Sequence, residues 1–270
     1  MEVSSSLAEK ENRGNFWVIV LLGLAAGMLS GVFGVGGGIL IVPGLLFFAK
    51  MDQRRAHGTS LATVLPISIS SLMTYWAHGH VDWPVASFLA IGGIVGALIG
   101  TKLLKTVKHE ILSMGFAAIL IVSAVRLYWT TSGSGRDHLT VLVCIALIIV
   151  GTATGVIAGL LGLGGGVILI PFMVVLLGIP VVIAKGTALA FTIPMSLTGT
   201  LRNRSASNVD IRAALTMGAG GVLAAIAGGW ISARLSDSLS NALFGALLIV
   251  LAGRLVFQES RRRWSKAPIQ

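Results

Sequence analysis

Residues 31–38 read Gly-Val-Phe-Gly-Val-Gly-Gly-Gly, and residues 159–166 read Gly-Leu-Leu-Gly-Leu-Gly-Gly-Gly. Three consecutive glycines weaken a helix, because each glycine costs about 1 kcal/mol relative to alanine in a helix interior. We therefore expect the chain to unwind at both runs. Each run would then expose main-chain N–H groups where the following apolar helix begins.

The two glycine runs are part of a longer internal repeat, in which residues 27–128 recur as residues 155–256 without a gap. The repeat pairs Pro43 with Pro171, Gly58-Thr59 with Gly186-Thr187, Pro66 with Pro194, Asp82 with Asp210, and Arg126 with Arg254. Two halves of one design in an apolar chain are typical of membrane transporters with internal repeats.

The composition indicates an integral membrane protein. Hydrophobic residues make up 55% of the 270 positions and charged residues only 11%, whereas a soluble domain carries about 25% charged residues. Most apolar stretches approach the ~20 residues that a helix needs to cross a bilayer, and none alternates as barrel strands do. These stretches are 16–49, 58–77, 84–101, 111–129, 139–178, 186–201, 211–233 and 239–257. We predict an all-α polytopic membrane protein.

The net charge of +10 does not indicate a nucleic-acid partner, because the cations cluster at the ends of the apolar stretches instead of forming one basic face. Stretches 16–49 and 139–178 are too long for one crossing. If each is a hairpin broken at its glycines, most of the 20 Lys and Arg residues fall on one side, as the positive-inside rule requires. We therefore predict two inverted-topology repeats of about five helical segments each, the first two forming a glycine-broken hairpin. Both termini are then cytoplasmic, and the second hairpin arm is too short to span the bilayer unaided.

The predicted order along the chain has five parts. They are a cytoplasmic N-terminal tail (1–15), transmembrane repeat 1 (16–129), a linker (130–138), transmembrane repeat 2 (139–257) and a basic cytoplasmic C-terminal tail (258–270). The single cysteine, Cys144, gives no disulfide framework, and His78-Gly-His80 is too thin a pattern for a metal site. No catalytic constellation occurs either, so we expect neither cofactor nor metal nor enzymatic activity.

The glycine runs are the first candidates for substrate binding. Each places the positive end of a helix dipole at unwound backbone, and two such ends meeting near mid-membrane would favour an anion. The alternative is close helix packing, which Gly92, Gly93, Gly96 and Gly100 fit well. The candidate substrate-binding glycines in these runs are Gly34, Gly36, Gly37, Gly38, Gly162, Gly164, Gly165 and Gly166.

Further candidates follow in both halves. Gly58-Thr59-Ser60 and Gly186-Thr187 are each expected to open a helix, with hydroxyls that either face the anion or cap the helix. His57 and Lys185 precede them as a matching pair of cations, which serve the anion or snorkel to the interface.

Other matching residues have simpler interpretations. Asp82 and Asp210 are expected to be N-caps, and Arg126 and Arg254 to be interfacial anchors. Pro66 and Pro194 are expected to kink their helices and free a carbonyl.

The paired glycine-apolar-proline runs, each followed by Gly-Thr-Ser or Gly-Thr-Ala, resemble the sulfite exporter TauE/SafE family of membrane permeases over about residues 16–257. The resemblance implies transport of small sulfur-containing or organic anions such as sulfite across the bacterial inner membrane. It also implies a substrate region at residues 34–38, 58–60, 162–166 and 186–187. Ala188 departs from the serine of the first half.

We therefore expect a secondary transporter, an exporter that works by alternating access at the interface of two inverted repeats. An anion channel is the main alternative, and an intramembrane enzyme or a membrane scaffold fits less well. The expected partners are a small anionic substrate and the lipid bilayer, with no nucleic acid. The pattern leaves open whether two copies form a homodimer.

Overall fold

The computed structural model of the chain describes residues 2–103, 140–265 and the single position 121, and this part contains helices and no strands. The helices are α1 (Glu2–Phe33), α2 (Gly38–Phe47), α3 (Gln53–Ala77), α4 (Trp83–Leu103), α5 (Val141–Leu161), α6 (Gly166–Leu177), α7 (Val181–Ser205), α8 (Ile211–Arg234) and α9 (Asp237–Ser265). Within the described residues, six helices are long and apolar enough to cross a membrane: α3, α4, α5, α7, α8 and the Phe16–Phe33 part of α1. The prediction of an all-helical, multi-pass protein is confirmed.

Several features predicted from the sequence lie outside the described residues or belong to a different element. The apolar stretch 111–129, with Arg126, lies outside the described residues except for position 121, and the linker 130–138 lies outside them entirely. The side chain of Arg254 is also outside the described set. The segments 1–15 and 258–270, expected as tails, continue α1 back to Glu2 and α9 on to Ser265.

Three aspartates, Asp52, Asp82 and Asp210, cap helices in the described part of the chain. Asp82 accepts the N–H of Val85 at 3.1 Å, and Asp210 accepts the N–H of Ala213 at 3.1 Å, which confirms both as N-caps. Asp52 caps α3 in the same way, accepting the N–H groups of the residues two and three positions later.

The expectation that Gly58 and Gly186 open helices is wrong. Helix α3 begins five residues before Gly58, because Asp52 supplies its cap. Helix α7 begins directly after Pro180, whose fixed φ suits the residue preceding a first turn. Both Gly-Thr motifs therefore lie in the second turn of a helix.

Helices α3 and α7 continue through Pro66 and Pro194. Each proline lacks the N–H that would bond to the carbonyl four residues earlier, at Ala62 and Ala190. The middle of each helix therefore carries one main-chain carbonyl without its usual donor.

The helices form two bundles with separate cores. The first bundle contains α1, α2, α3 and α8, and its core residues are Ala26, Ile41, Leu45, Ala56, Val64, Ile67, Ala213, Met217 and Ala225. The second bundle contains α4, α5, α6 and α7, with α9 packed against it. Among the described helices other than α9, each bundle thus takes three from one half of the sequence repeat and one from the other.

Glycines allow the exchanged helices to touch. A β-carbon at Gly27 of α1 would overlap the main chain of Gly221 in α8, and one at Gly96 of α4 would overlap the main chain of Thr152 in α5. Gly92, Gly93 and Gly100 of α4 are equally close to neighbouring helices. The packing interpretation of these glycines is confirmed, since only small residues let transmembrane backbones approach this closely.

The contacts also give the helix directions. Tyr75 of α3 lies beside Gly186 of α7, and Leu61 of α3 lies beside Gly199 further along α7, so these equivalent helices run antiparallel. Helix α2 turns back along α1, because Gly44 lies against Leu22 of α1. At 10 and 12 residues, α2 and α6 are only about 15 and 18 Å long, too short to cross a bilayer alone.

Candidate functional site between the two bundles

The two glycine runs form loops that touch each other. A β-carbon added at Gly38 would lie 2.6 Å from the carbonyl oxygen of Gly162, and one at Gly166 would lie 2.5 Å from that of Gly34. Gly36, with φ of 78°, and its equivalent Gly164, with φ of 72°, hold the left-handed conformation that other residues rarely adopt. The two unwound segments therefore meet at one place in the molecule.

Each loop leads into a helix without a side-chain cap. Helix α2 begins at Gly38 and helix α6 at Gly166, and their N-cap residues, Gly37 and Gly165, have no side chain to cap the first turn. The first N–H groups of a helix have no acceptor within it, and they carry the positive end of its dipole. Two electropositive helix starts, one from each half of the repeat, thus belong to the same pair of loops.

The walls of this place come from the crossing of α3 and α7. Val64 of α3 and Thr192 of α7 are fully buried, and each lies 3.1–3.6 Å from the β-carbon positions of both Gly36 and Gly164. Val35 and Ile39 of the first run also reach into the core of the second bundle. The loops therefore lie at the contact between the bundles.

The hydroxyls of the Gly-Thr motifs are already engaged by main chain. The Thr59 hydroxyl oxygen accepts the N–H of Asp210 at 2.9 Å, and that of Thr187 accepts the N–H of Asp82 at 3.0 Å. The Ser60 hydroxyl donates to the carbonyl of Gly162 at 2.7 Å. These groups fasten the turns before α8 and α4, and the end of α5, to the crossing helices.

The glycines of these motifs have a matching steric role. A β-carbon at Gly58 would overlap the carbonyl oxygen of Asn208, and one at Gly186 would overlap that of His80. The preceding loop of each exchanged helix thus lies directly on the motif of α3 or α7. Sequence reasoning could not see these contacts, because the paired residues are more than a hundred positions apart.

Lys185 and His57 are both buried, at 0% and 3% exposure. The Lys185 amino group donates to the carbonyl of Val32 at 2.9 Å and to the Ser240 hydroxyl at 2.6 Å. It also lies 5.7 Å from the ring centre of Phe33. The alternative that Lys185 snorkels to the interface is wrong, because its charge is held inside the protein.

The two residues occupy equivalent places beside the loops. A β-carbon at Gly34 would lie 2.6 Å from Cβ of Lys185, and one at Gly162 would lie 2.9 Å from Cα of His57. Each therefore packs where α1 or α5 ends, next to carbonyls at the negative end of a helix dipole. A positive charge at such a position stabilises the broken helix and adds positive potential near the loops.

Two cavities open near opposite ends of the crossing helices. The larger, of about 710 Å³, is lined by three cations, Arg54, Lys102 and Arg202, among other residues. The smaller, of about 260 Å³, includes His80, the equivalent of Asn208 in the larger cavity. At the positions equivalent to Arg54 and Lys102 the second half has Val182 and Trp230, so these two cations have no counterpart at the other end.

A sequence model of the family described as sulfite exporter TauE/SafE matches residues 3–127 and again residues 147–270. The chain belongs to the TauE/SafE family. The double match agrees with the internal repeat and with the resemblance of the glycine motifs. This is a family of transporters and not of enzymes, as the absence of a catalytic constellation predicted.

Curated relatives match over most of the chain. A probable membrane transporter protein of Bacillus subtilis, YunE, is 24% identical over 268 residues, covering 90% of this chain and 98% of its own. A probable membrane transporter protein of Xylella fastidiosa is 29% identical over 238 residues, covering 86% and 90%. A second Bacillus subtilis relative, YjnA, is 23% identical and covers 88% and 98%. The protein is a multi-pass membrane transporter of this family.

The structure also brings polar residues to this region that sequence reasoning missed. The Tyr75 hydroxyl bonds to the carbonyl of Gly31 at 2.8 Å and to the Ser232 hydroxyl at 2.9 Å, joining α3 to α1 and α8. Ser68 and Ser196 lie deep in α3 and α7, two residues after the central prolines. A signal for the serines was present, because Pro-x-Ser recurs at residues 66–68 and 194–196.

Proposed function

We propose that the protein is a secondary transporter that exports small sulfur-containing or organic anions, such as sulfite. The observation that carries this proposal is the pair of uncapped helix starts, α2 and α6, whose loops meet between the two bundles. Main-chain N–H groups at a helix start favour an anion, and unwound backbone is tolerated at membrane depth where protein covers it.

The residues assigned to the substrate region remain those suggested by the sequence, with different tasks. The glycines at 36–38 and 164–166 supply amides for the anion, whereas the N–H groups of Gly34 and Gly162 already donate to the carbonyls of Ser30 and Ala158 and end α1 and α5. Lys185 adds positive potential from behind the first loop, and His57 has the equivalent place behind the second. The motifs 58–60 and 186–187 hold the surrounding turns in place through the hydrogen bonds and close contacts described above.

We further propose that the halves are inverted repeats and that the two bundles are the moving bodies of alternating access. The antiparallel course of the equivalent helices α3 and α7 supports the inversion. The two main cores, which meet where α3 crosses α7, support two units with the substrate loops at their contact. The sequence suggested that one half rocks against the other, but the exchange of α4 and α8 makes each moving unit a mixture of both halves.

The proposal of export rests on the charge difference between the two cavities. With both termini in the cytoplasm, as the positive-inside rule favours, the larger cavity faces the cytoplasm. Its cations Arg54, Lys102 and Arg202 raise the local concentration of anions there. Among the described residues, no lysine or arginine lines the smaller cavity, so anions are captured more readily on the cytoplasmic side, as export requires.

An anion channel is the second candidate, and the closed crossing of α3 and α7 disfavours it. Val64 and Thr192 close the α3–α7 crossing around the glycine loops, and both are fully buried. The glycine loops are thus enclosed by protein in this conformation, which suits a carrier that opens to one side at a time.

The test is counterflow in proteoliposomes that contain the purified protein. Vesicles loaded with unlabelled sulfite, sulfate, thiosulfate, sulfoacetate or acetate are diluted into trace amounts of the labelled anion. A carrier gives transient, saturable accumulation of the label for at least one anion. Absence of saturable exchange for every anion of the panel refutes the proposal, and conductance without counterflow would favour the channel.

A further inference from the structure

Two buried serines occupy equivalent positions of the repeat and have no hydrogen-bond partner among the described residues. They are Ser68 of α3 and Ser196 of α7, both with 0% exposure and with their hydroxyl oxygens sealed from solvent. A buried hydroxyl without a partner lowers stability, and native proteins keep few of them. Finding two at matching positions indicates a shared purpose.

Three threonine hydroxyls on the same two helices behave differently, whereas that of Thr200 in α7 also lacks a partner among the described residues but has Leu72, without a hydroxyl, at the equivalent position of α3. Thr63 donates to the carbonyl of Thr59, Thr192 to that of Ala188, and Thr198 to that of Pro194, each at 2.7–2.9 Å. A hydroxyl in a helix can always reach the carbonyl one turn earlier in this way. Ser68 and Ser196 do not, so their hydroxyls remain available to a group that is not part of the protein.

The location of the serines connects them to the glycine loops. The Ser68 hydroxyl oxygen lies 3.3 Å from the β-carbon position of Gly36. Ser68 follows Val64 by one helical turn, and Ser196 follows Thr192 by one turn, so each shares a helix face with a residue that walls the loops. The antiparallel register of α3 and α7 places the two serines on either side of the centre of the crossing.

We propose that the hydroxyls of Ser68 and Ser196 are the side-chain donors to the transported anion, one from each bundle. This inference rests on the proposed function and narrows its site, since the hydroxyls of Ser60 and Thr187 already donate to main-chain carbonyls and that of Thr59 is held by the N–H of Asp210 at the start of α8. The ligand is a small oxyanion that offers separate acceptor oxygens to the two serines, such as a sulfite, sulfonate or carboxylate. Loop amides and neutral hydroxyls then hold the anion without a contacting charge, and its release stays rapid.

The experiment compares Ser68→Ala and Ser196→Ala with the wild-type protein. The probe is the panel anion that exchanges best in wild-type vesicles, beginning with sulfite. A hydrogen bond to a charged group corresponds to about a ten- to hundredfold change in affinity. We expect each substitution to raise the half-saturating anion concentration by about that factor and to weaken thermal stabilisation by the anion. Without anion, melting temperatures should be unchanged or higher, because no protein hydrogen bond is lost.

Ser71→Ala is the matched control on the same helix. Ser71 is also fully buried, but its hydroxyl shares a hydrogen bond of 3.0 Å with that of Ser30 in α1. Its replacement should lower the melting temperature of the anion-free protein and leave anion affinity near the wild-type value. The two kinds of serine are thus expected to respond in opposite ways.

The outcomes separate the inference from the function on which it rests. If wild-type vesicles exchange an anion and both alanine variants keep wild-type affinity, the serine assignment is overturned and the transporter proposal stands. If wild-type vesicles exchange no anion of the panel, both fail. If an alanine variant does not fold, Ser68→Cys or Ser196→Cys fills the same space with a weak donor and should show the same loss of affinity. Wild-type affinity in the cysteine variants would then overturn the assignment.

Discussion

Replacing Gly36 by alanine tests whether the first glycine loop adjoins the anion. A single methyl group is added, so the fold is challenged as little as any side chain allows. At φ of 78° this methyl group meets its own backbone, and it points toward Val64, Ser68 and Thr192 at 3.1–3.3 Å. The substitution therefore perturbs the backbone and the proposed site together.

The expected loss of stability in Gly36→Ala has two causes. A left-handed conformation costs a residue with a β-carbon about 1–2 kcal/mol. The three neighbouring side chains must also move by a few tenths of an ångström, and overpacking of this kind costs about 1–3 kcal/mol. The methyl group further crowds the space beside the Ser68 hydroxyl, so we expect apparent anion affinity to fall at least about tenfold, or about 1.4 kcal/mol.

Gly178→Ala is the control that separates the cost of the left-handed conformation from the cost of crowding the site. Gly178 also has a left-handed φ, of 64°, but nothing lies within 4 Å of its β-carbon position. Thermal unfolding of Gly178→Ala in detergent should show only the cost of the left-handed conformation, about 1–2 kcal/mol or a few degrees in melting temperature. Counterflow should show wild-type affinity for this control.

The refuting result is specific. If Gly36→Ala and Gly178→Ala lose the same stability and both exchange the anion with wild-type affinity and rate, the first glycine loop does not adjoin the anion. The glycines of residues 34–38 would then serve only to bend the chain between α1 and α2.

Three further predictions concern charge and packing. Lys185→Gln keeps a donor for its buried acceptors but removes the charge, so anion affinity should fall by about three- to tenfold in counterflow while protein yield is unchanged; unaltered affinity would limit Lys185 to holding the end of α1. Arg55→Gln removes an ion pair with Asp210 whose side chains are 50% and 25% exposed, and it should change the melting temperature little, since such pairs contribute about 0–1 kcal/mol. A large drop would show that this pair holds α3 and α8 together. Gly96→Leu should abolish folded protein in size-exclusion chromatography, because its side chain would enter α5, whereas Gly253→Leu should be tolerated, because its β-carbon faces open space.

The sequence predicted the helical class, the break after α1 and the break after α5, because glycine weakens helices locally wherever it is clustered. It also predicted that Lys185 and His57 occupy equivalent positions and that Asp82 and Asp210 are caps. Each of these predictions depends only on residue type, on local sequence and on the internal repeat.

What the sequence did not predict depends on contacts between distant segments. The exchange of α4 and α8 between bundles is one example, because every apolar helix has a plausible partner in any other. The role of Gly58 is another, since it is set by the carbonyl of Asn208 on a different loop. The serines at 68 and 196 escaped notice because an unpartnered hydroxyl can be recognised only when all its neighbours are known.

The contact of α1 with α8 has a consequence for how the protein is made. The glycine face of α1 fits the backbone of α8, which is translated about 200 residues later. At a ribosomal speed of about 5–20 residues per second, α1 waits roughly 10–40 seconds for its partner. During that interval the glycine face of α1 must contact lipid or the insertion machinery. An N-terminal fragment released early would enter the membrane with this face uncovered and would be a target for quality-control proteases.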